Sequence, residues 1–224
     1  KELAIGLFLM VTFIAVMVAI FTPITKDGNA LNYLDNLYNS ISKGSAYYIP
    51  KVEHLVEEHG SEVVTLNLKM ETVESAQSAE PLFARSGATT AIEGNNLMVN
   101  GDLEVIFAAC LEDAESAYHN REEDLANRYG IGSRVALHSW WQALKAMEKD
   151  LNRQRLFPAA QLTHTVQTKT VECAYNYYGI EAQAIKDRWG TVLFSLVFYV
   201  LYTIWYGYAI MYIFEGLGFE LAAH

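Results

Sequence analysis

The feature that most constrains this chain is a pair of long uncharged apolar runs, one near each end. Leu3 to Phe21 reads LAIGLFLMVTFIAVMVAIF, and Thr12 is its only polar side chain. At about 1.5 Å per residue this run covers roughly 28 Å, close to the thickness of a bilayer's hydrocarbon core. Pro23 follows and stops a helix. A cleaved signal peptide has a shorter apolar region, of about 7–15 residues, and no small-x-small cleavage site follows Phe21. Thr191 to Phe214 reads TVLFSLVFYVLYTIWYGYAIMYIF, again without Asp, Glu, Lys, Arg or His. Both runs read as transmembrane helices, so the expectation is an integral protein of a prokaryotic inner (cytoplasmic) membrane.

Ionisable side chains inside a span mark proton and ion pathways. Their absence argues against a pump, transporter or channel built from this chain alone. Two spans place the termini on one side and residues 24–190 on the other. Lys26, Lys186 and Arg188 flank the middle segment, whereas the terminal side carries only Lys1, and the tail EGLGFELAAH has neither Lys nor Arg. The excess of positive charge leans toward a cytoplasmic middle domain. Two cysteines without a pairing pattern agree with a reducing compartment, and they are too few for a disulfide scaffold or a four-cysteine zinc site. The net charge of −10, from 16 basic and 26 acidic residues, argues against a nucleic-acid partner.

Between the spans the patterning predicts an α+β domain that is mainly helical. The expected division is a first span at 3–22, a helical segment at 24–62, a small α/β unit at 63–118, a helical segment at 119–180, a long helix with the second span at 181–214, and a short tail at 215–224. Asn29–Lys43 has helical spacing with Gly44 as its stop, and Pro50 opens a second helix with Val52, Leu55 and Val56 on one side. Val64, Leu66, Leu68 and Met70 alternate with polar residues, as in a half-buried strand. Thr72 caps a helix running to Ser86, Gly94-Asn95 turns a hairpin, and Asp102 caps a helix with an apolar stripe from Leu103 to Tyr118. This β-α-β-β-α order resembles a ferredoxin-like arrangement lacking its last strand, an analogy of shape that implies no chemistry. Further on, Asn120 and Glu123 fit a capping box, Ser133 is the expected cap of the next helix, and Pro158 opens one spanning Ala159–Tyr178. Glu181 to Phe214 is expected as one unbroken helix of about 50 Å.

The motifs assemble no catalytic site. His54 and His59 are neither H-E-x-x-H nor H-x-x-E-H, and on a helix they point about 140° apart. His54 beside Glu57 and Glu58 is at most a two-ligand fragment. Glu115 and His119 stand four apart on one helix face, and a metal would need two more ligands. His164, in the run THTVQTKT, is the candidate axial haem ligand, although C-x-x-C-H is absent. Cys110 and Cys173 read as small buried hydrophobes. No phosphate-binding loop and no nucleophile elbow occurs. No cofactor is predicted.

The distinctive clusters are aromatic. Tyr199, Tyr202, Trp205 and Tyr206 load the second span, and Trp189, Tyr177 and Tyr178 precede it. Tyrosine and tryptophan anchor protein interfaces and also suit the bilayer boundary. The reading is therefore a non-catalytic, membrane-anchored accessory or scaffolding subunit. Its expected partners are the lipid bilayer and other membrane subunits or further copies of itself. One alternative is a redox, metal or haem-binding subunit using His164, His119, Glu115 or His54. The other is a membrane-tethered sensor, which would signal through a partner because only ten residues follow Phe214.

Overall fold

A computed structural model describes residues 1–23 and 28–219; Lys26 and the end of the tail lie outside them. The chain is α+β and mostly helical, with ten α-helices and a three-stranded sheet among the described residues. It forms two units, residues 1–44 with 181–224, and residues 45–180.

The first unit holds the two apolar helices. Helix α1 (Glu2–Phe21) and α10 (Ile185–Gly216) are both long and apolar enough to cross a membrane, and almost none of either apolar window is buried. They run antiparallel. Gly6 lies against Ile213, and Gly216 lies against Leu3, where a Cβ would meet backbone at 2.7 Å and 2.4 Å respectively. Small residues at such crossings let two backbones approach closely. Helix α2 (Ala30–Ser45) completes the unit. Asn29 caps it by accepting from the Asn32 N–H at 2.9 Å. Gly44, expected as a stop, lies inside its last turn.

The expected start of the long helix at Glu181 is corrected. Residues 181–184 are not helical, and Ala184 is extended at the N-cap of α10. The Gln183 N–H donates to the Ser40 carbonyl at 3.1 Å, a long-range bond that an earlier helix start would forfeit. From Ile185 the helix is unbroken for 32 residues, about 48 Å.

The second unit is built on the sheet β1 (Val63–Lys69), β2 (Thr89–Glu93) and β3 (Asn96–Asp102). Its order is β1-β3-β2 with both pairings antiparallel. Leu66, Leu68, Leu97 and Val99 point into the core, while Thr65, Asn67 and Asn100 face out, the alternation expected when one face is covered. The cover comes from α4 (Val73–Arg85) and α5 (Leu103–Tyr118), which bury Leu82, Phe83, Ile106 and Phe107. Thr72 caps α4 by accepting from the Ser75 N–H, and Asp102 caps α5 by accepting from the Glu104 N–H. Helix α3 (Ile49–His59) buries Val52 and Val56, but Leu55, expected beside them, is exposed.

Helix α6 (Glu122–Tyr129) ends on left-handed Gly130, and α7 (Ser133–Arg153) buries Leu137, Trp140 and Leu144. The capping box at Asn120 is not formed. Asn120 adopts positive φ, and its side chain ties Gly179 N–H and Ile180 O instead, so a tertiary bond replaces the local one. The helix expected from Ala159 to Tyr178 is three pieces. It comprises α8 (Phe157–Val166), a π-helical segment at Gln167–Val171, and α9 (Glu172–Tyr177).

The free edge of β1 meets α7. Asp150, nearly fully buried, accepts from the Asn67 N–H at 2.9 Å, and Gln154 Nε2 donates to the Thr65 carbonyl at 2.9 Å. Side chains thus answer the edge groups that a fourth strand would otherwise pair. Asp150→Ala is expected to cost the domain about 1–3 kcal/mol, since a half-buried N–H loses its acceptor. Urea unfolding of the full chain in detergent checks this, and an unchanged midpoint contradicts it.

Candidate functional site

The histidines singled out by sequence are scattered. His54 pairs with Glu58 at 3.5 Å on the exposed face of α3. His164 Nδ1 lies 3.2 Å from Glu148, also at the surface. His119 Nε2 lies 3.0 Å from Glu115. Among the described residues no group of three or more His, Cys, Asp or Glu is placed to hold a metal ion.

Glu115 has a second partner. The Tyr47 hydroxyl donates to both of its carboxylate oxygens, at 2.7 and 2.8 Å, and the Tyr47 ring packs on Tyr118 at 5.3 Å. Burial, with the Glu115 carboxylate beside it, pushes the Tyr47 phenol from 10.0 up to about 12; burial does the same for Tyr118. A phenol held neutral in the fold stabilises it fully below pH 10, and that contribution is lost as pH rises through about 12. Stability should therefore fall between about pH 10 and 12, and more shallowly in Tyr47→Phe; equal slopes in chemical unfolding at stepped pH would contradict this.

Sequence reading missed a carboxylate of greater structural weight. Asp113 on α5 is wholly buried and accepts from Arg128 Nη1 (2.8 Å), Tyr129 OH (2.7 Å) and Trp140 Nε1 (2.8 Å). Burial and Asp113 push the Tyr129 phenol well up. Three donors on its two buried oxygens make this a structural hub, not a base with room for substrate. The thiols are poor nucleophiles for the same reason: burial raises both Cys110 and Cys173.

Beside the π-helical segment a cavity of about 280 Å³ is lined by His138, Trp141, Glu172 and Tyr175. Trp141 Nε1 donates to Glu172 at 2.8 Å, His138 stacks on the Trp141 ring, and Lys145 Nζ stands 4.7 Å from that ring's centre. Of its polar groups, Trp141 and Glu172 thus already engage each other.

The aromatics expected at an interface divide into three sets. Tyr177 and Tyr178 are partly buried against the core of the second unit, with the Arg134 guanidinium 5.5 Å from the Tyr178 ring. In the span, Tyr202, Trp205 and Tyr206 gather around Phe13 of α1, with ring centres 6.5, 6.2 and 5.4 Å away. Trp205 Nε1 also donates to the Leu9 carbonyl at 3.1 Å. Trp189 and Tyr199 stay exposed. No known protein family, curated protein or solved structure matches this chain.

With Tyr202, Trp205 and Tyr206 turned to α1, helix α10 presents a different surface on the far side. Leu193, Val197, Val200, Ile204 and Tyr208 recur at helical spacing there and are about half exposed. A Cβ on Gly207, in the same stripe, would meet nothing within 4 Å.

Proposed function

We propose that the chain is a non-catalytic, membrane-anchored accessory or scaffolding subunit, and that the aliphatic ridge of α10 is where another membrane chain packs. The observation that carries this reading is the ridge itself. Helix α1 packs on α10 through Phe13, Gly6 and Leu3, while Leu193, Val197, Val200 and Ile204 of α10 stay about half exposed. Gly207 in that ridge offers a partner helix a close approach. The Asp113 and Glu115 clusters of the second unit favour the same reading, because their carboxylates already accept from donors of that unit.

The test is the mass of the full chain in mild detergent. A particle heavier than one 25.2 kDa chain is expected, as a homo-oligomer or with co-purifying membrane proteins. Gly207→Leu should weaken that association about tenfold, equivalent to about 1.4 kcal/mol. A monodisperse monomer, or an assembly indifferent to Gly207→Leu, counts against the proposal.

A further inference from the structure

We infer that the first unit carries a binding site for one anionic phospholipid, with its phosphate at Arg188 and an acyl chain in the groove formed by α1, α2 and α10. The inference rests on the membrane reading above.

Two cavities of the first unit carry the inference. The larger, about 550 Å³, is almost wholly apolar, with Phe21 from α1, Leu31 and Leu34 from α2, and Phe194, Phe198 and Tyr202 from α10. That volume falls in the usual range for small-molecule sites, about 300–1,000 Å³. The smaller, about 110 Å³, is lined by Tyr33, Asn36, Leu37, Ser40, Gln183 and Arg188, so polar side chains border an otherwise apolar notch. The same two helices wall both. On α2 the polar set recurs at helical spacing and the apolar set occupies the neighbouring face. On α10, Arg188 precedes Phe194 by six residues, about 9 Å along the axis. The result is a guanidinium within two helical turns of a greasy groove, a head-and-tail order that suits a phospholipid.

Arg188 suits an anion. Its Nε donates to Gln183 Oε1 at 3.0 Å, which holds the guanidinium at the notch. Among the described residues it forms no ion pair with a carboxylate. A guanidinium's planar fork matches phosphate geometry. Lys186 and Asp187 stand in the same first turn and offset one another in charge, which leaves Arg188 as its net positive charge, at a helix end whose dipole favours an anion. Lower down, Tyr38 OH and Ser195 Oγ satisfy each other at 2.5 Å, so these two groove-lining polar groups need no further partner.

Native mass spectrometry of the full chain, extracted in detergent and offered equal phosphatidylglycerol and phosphatidylcholine, tests the site. Phosphatidylglycerol should be retained at least about tenfold better, as one adduct per chain. Arg188→Gln should erase that preference without lowering the melting temperature. Leu34→Trp, which fills the groove, should reduce retention of both lipids. Equal retention of the two lipids by wild type, or a preference that survives Arg188→Gln, overturns the site while leaving the membrane reading intact. A chain that stays in aqueous solution without detergent overturns both.

Discussion

Replacing Asp113 with alanine is expected to destabilise residues 45–180 by about 3–5 kcal/mol, among the largest effects of any single change in this unit. The carboxylate is fully buried and answers three donors from three side chains, Arg128, Tyr129 and Trp140. Removing it leaves a partly buried guanidinium, a phenol and an indole N–H together in an apolar setting. Arg128 keeps Glu112 at 2.5 Å, but that pair is half in solvent and recovers little. The melting temperature of the full chain in detergent should fall by on the order of 10 °C. Asp113→Asn should cost less, because one amide oxygen still accepts. A midpoint for Asp113→Ala within about 0.5 kcal/mol of wild type would show that the three donors find other partners.

The second large effect belongs to the apolar pair. Gly6→Leu and Gly216→Leu each place a side chain where backbone of the opposite helix already lies. No rotamer relieves a clash with Ile213 N or Leu3 Cα, so the two helices must move apart. Overpacking of this kind costs about 1–3 kcal/mol or more. Separation also breaks the Phe13 aromatic cluster and the bond from Trp205 to Leu9. Energy transfer between labelled α1 and α10 peptides in micelles should report association weakened at least about tenfold. Gly207→Leu, on the open side of α10, should leave this pairing unchanged. If all three variants associate alike, the close approach at Gly6 and Gly216 is not what holds the helices together.

Features with local causes were legible in the sequence. The apolar runs, the Thr72 and Asp102 caps, and the Gly94-Asn95 turn each depend on residues within a few positions of one another. The β-α-β-β-α order followed from them. Features whose causes lie far away along the chain were not legible. Asn120 looked like a cap because Glu123 follows it, yet its side chain reaches Gly179 and Ile180, about sixty residues on. Asp113 stands with Glu112 between Cys110 and Ala114 of the apolar stripe, and acids at that place were the available signal. Its partners come from two other helices, so the stripe could not name them. The π-helical segment at Gln167–Val171 left no mark on a pattern that also suits an α-helix. Aromatic content marked the second span as unusual, but composition does not say which face a neighbour covers. The first span took Tyr202, Trp205 and Tyr206, and the exposed ridge proved to be chiefly aliphatic.

The way α7 closes the sheet has a consequence for ageing and overexpression. The β1 seam is guarded by Asp150 and Gln154, both at the last turn of one helix, where helices fray first. Unwinding of that single turn uncovers a seven-residue template of alternating apolar side chains. Strand-to-strand recruitment between molecules should therefore begin at β1, long before the core of the unit melts.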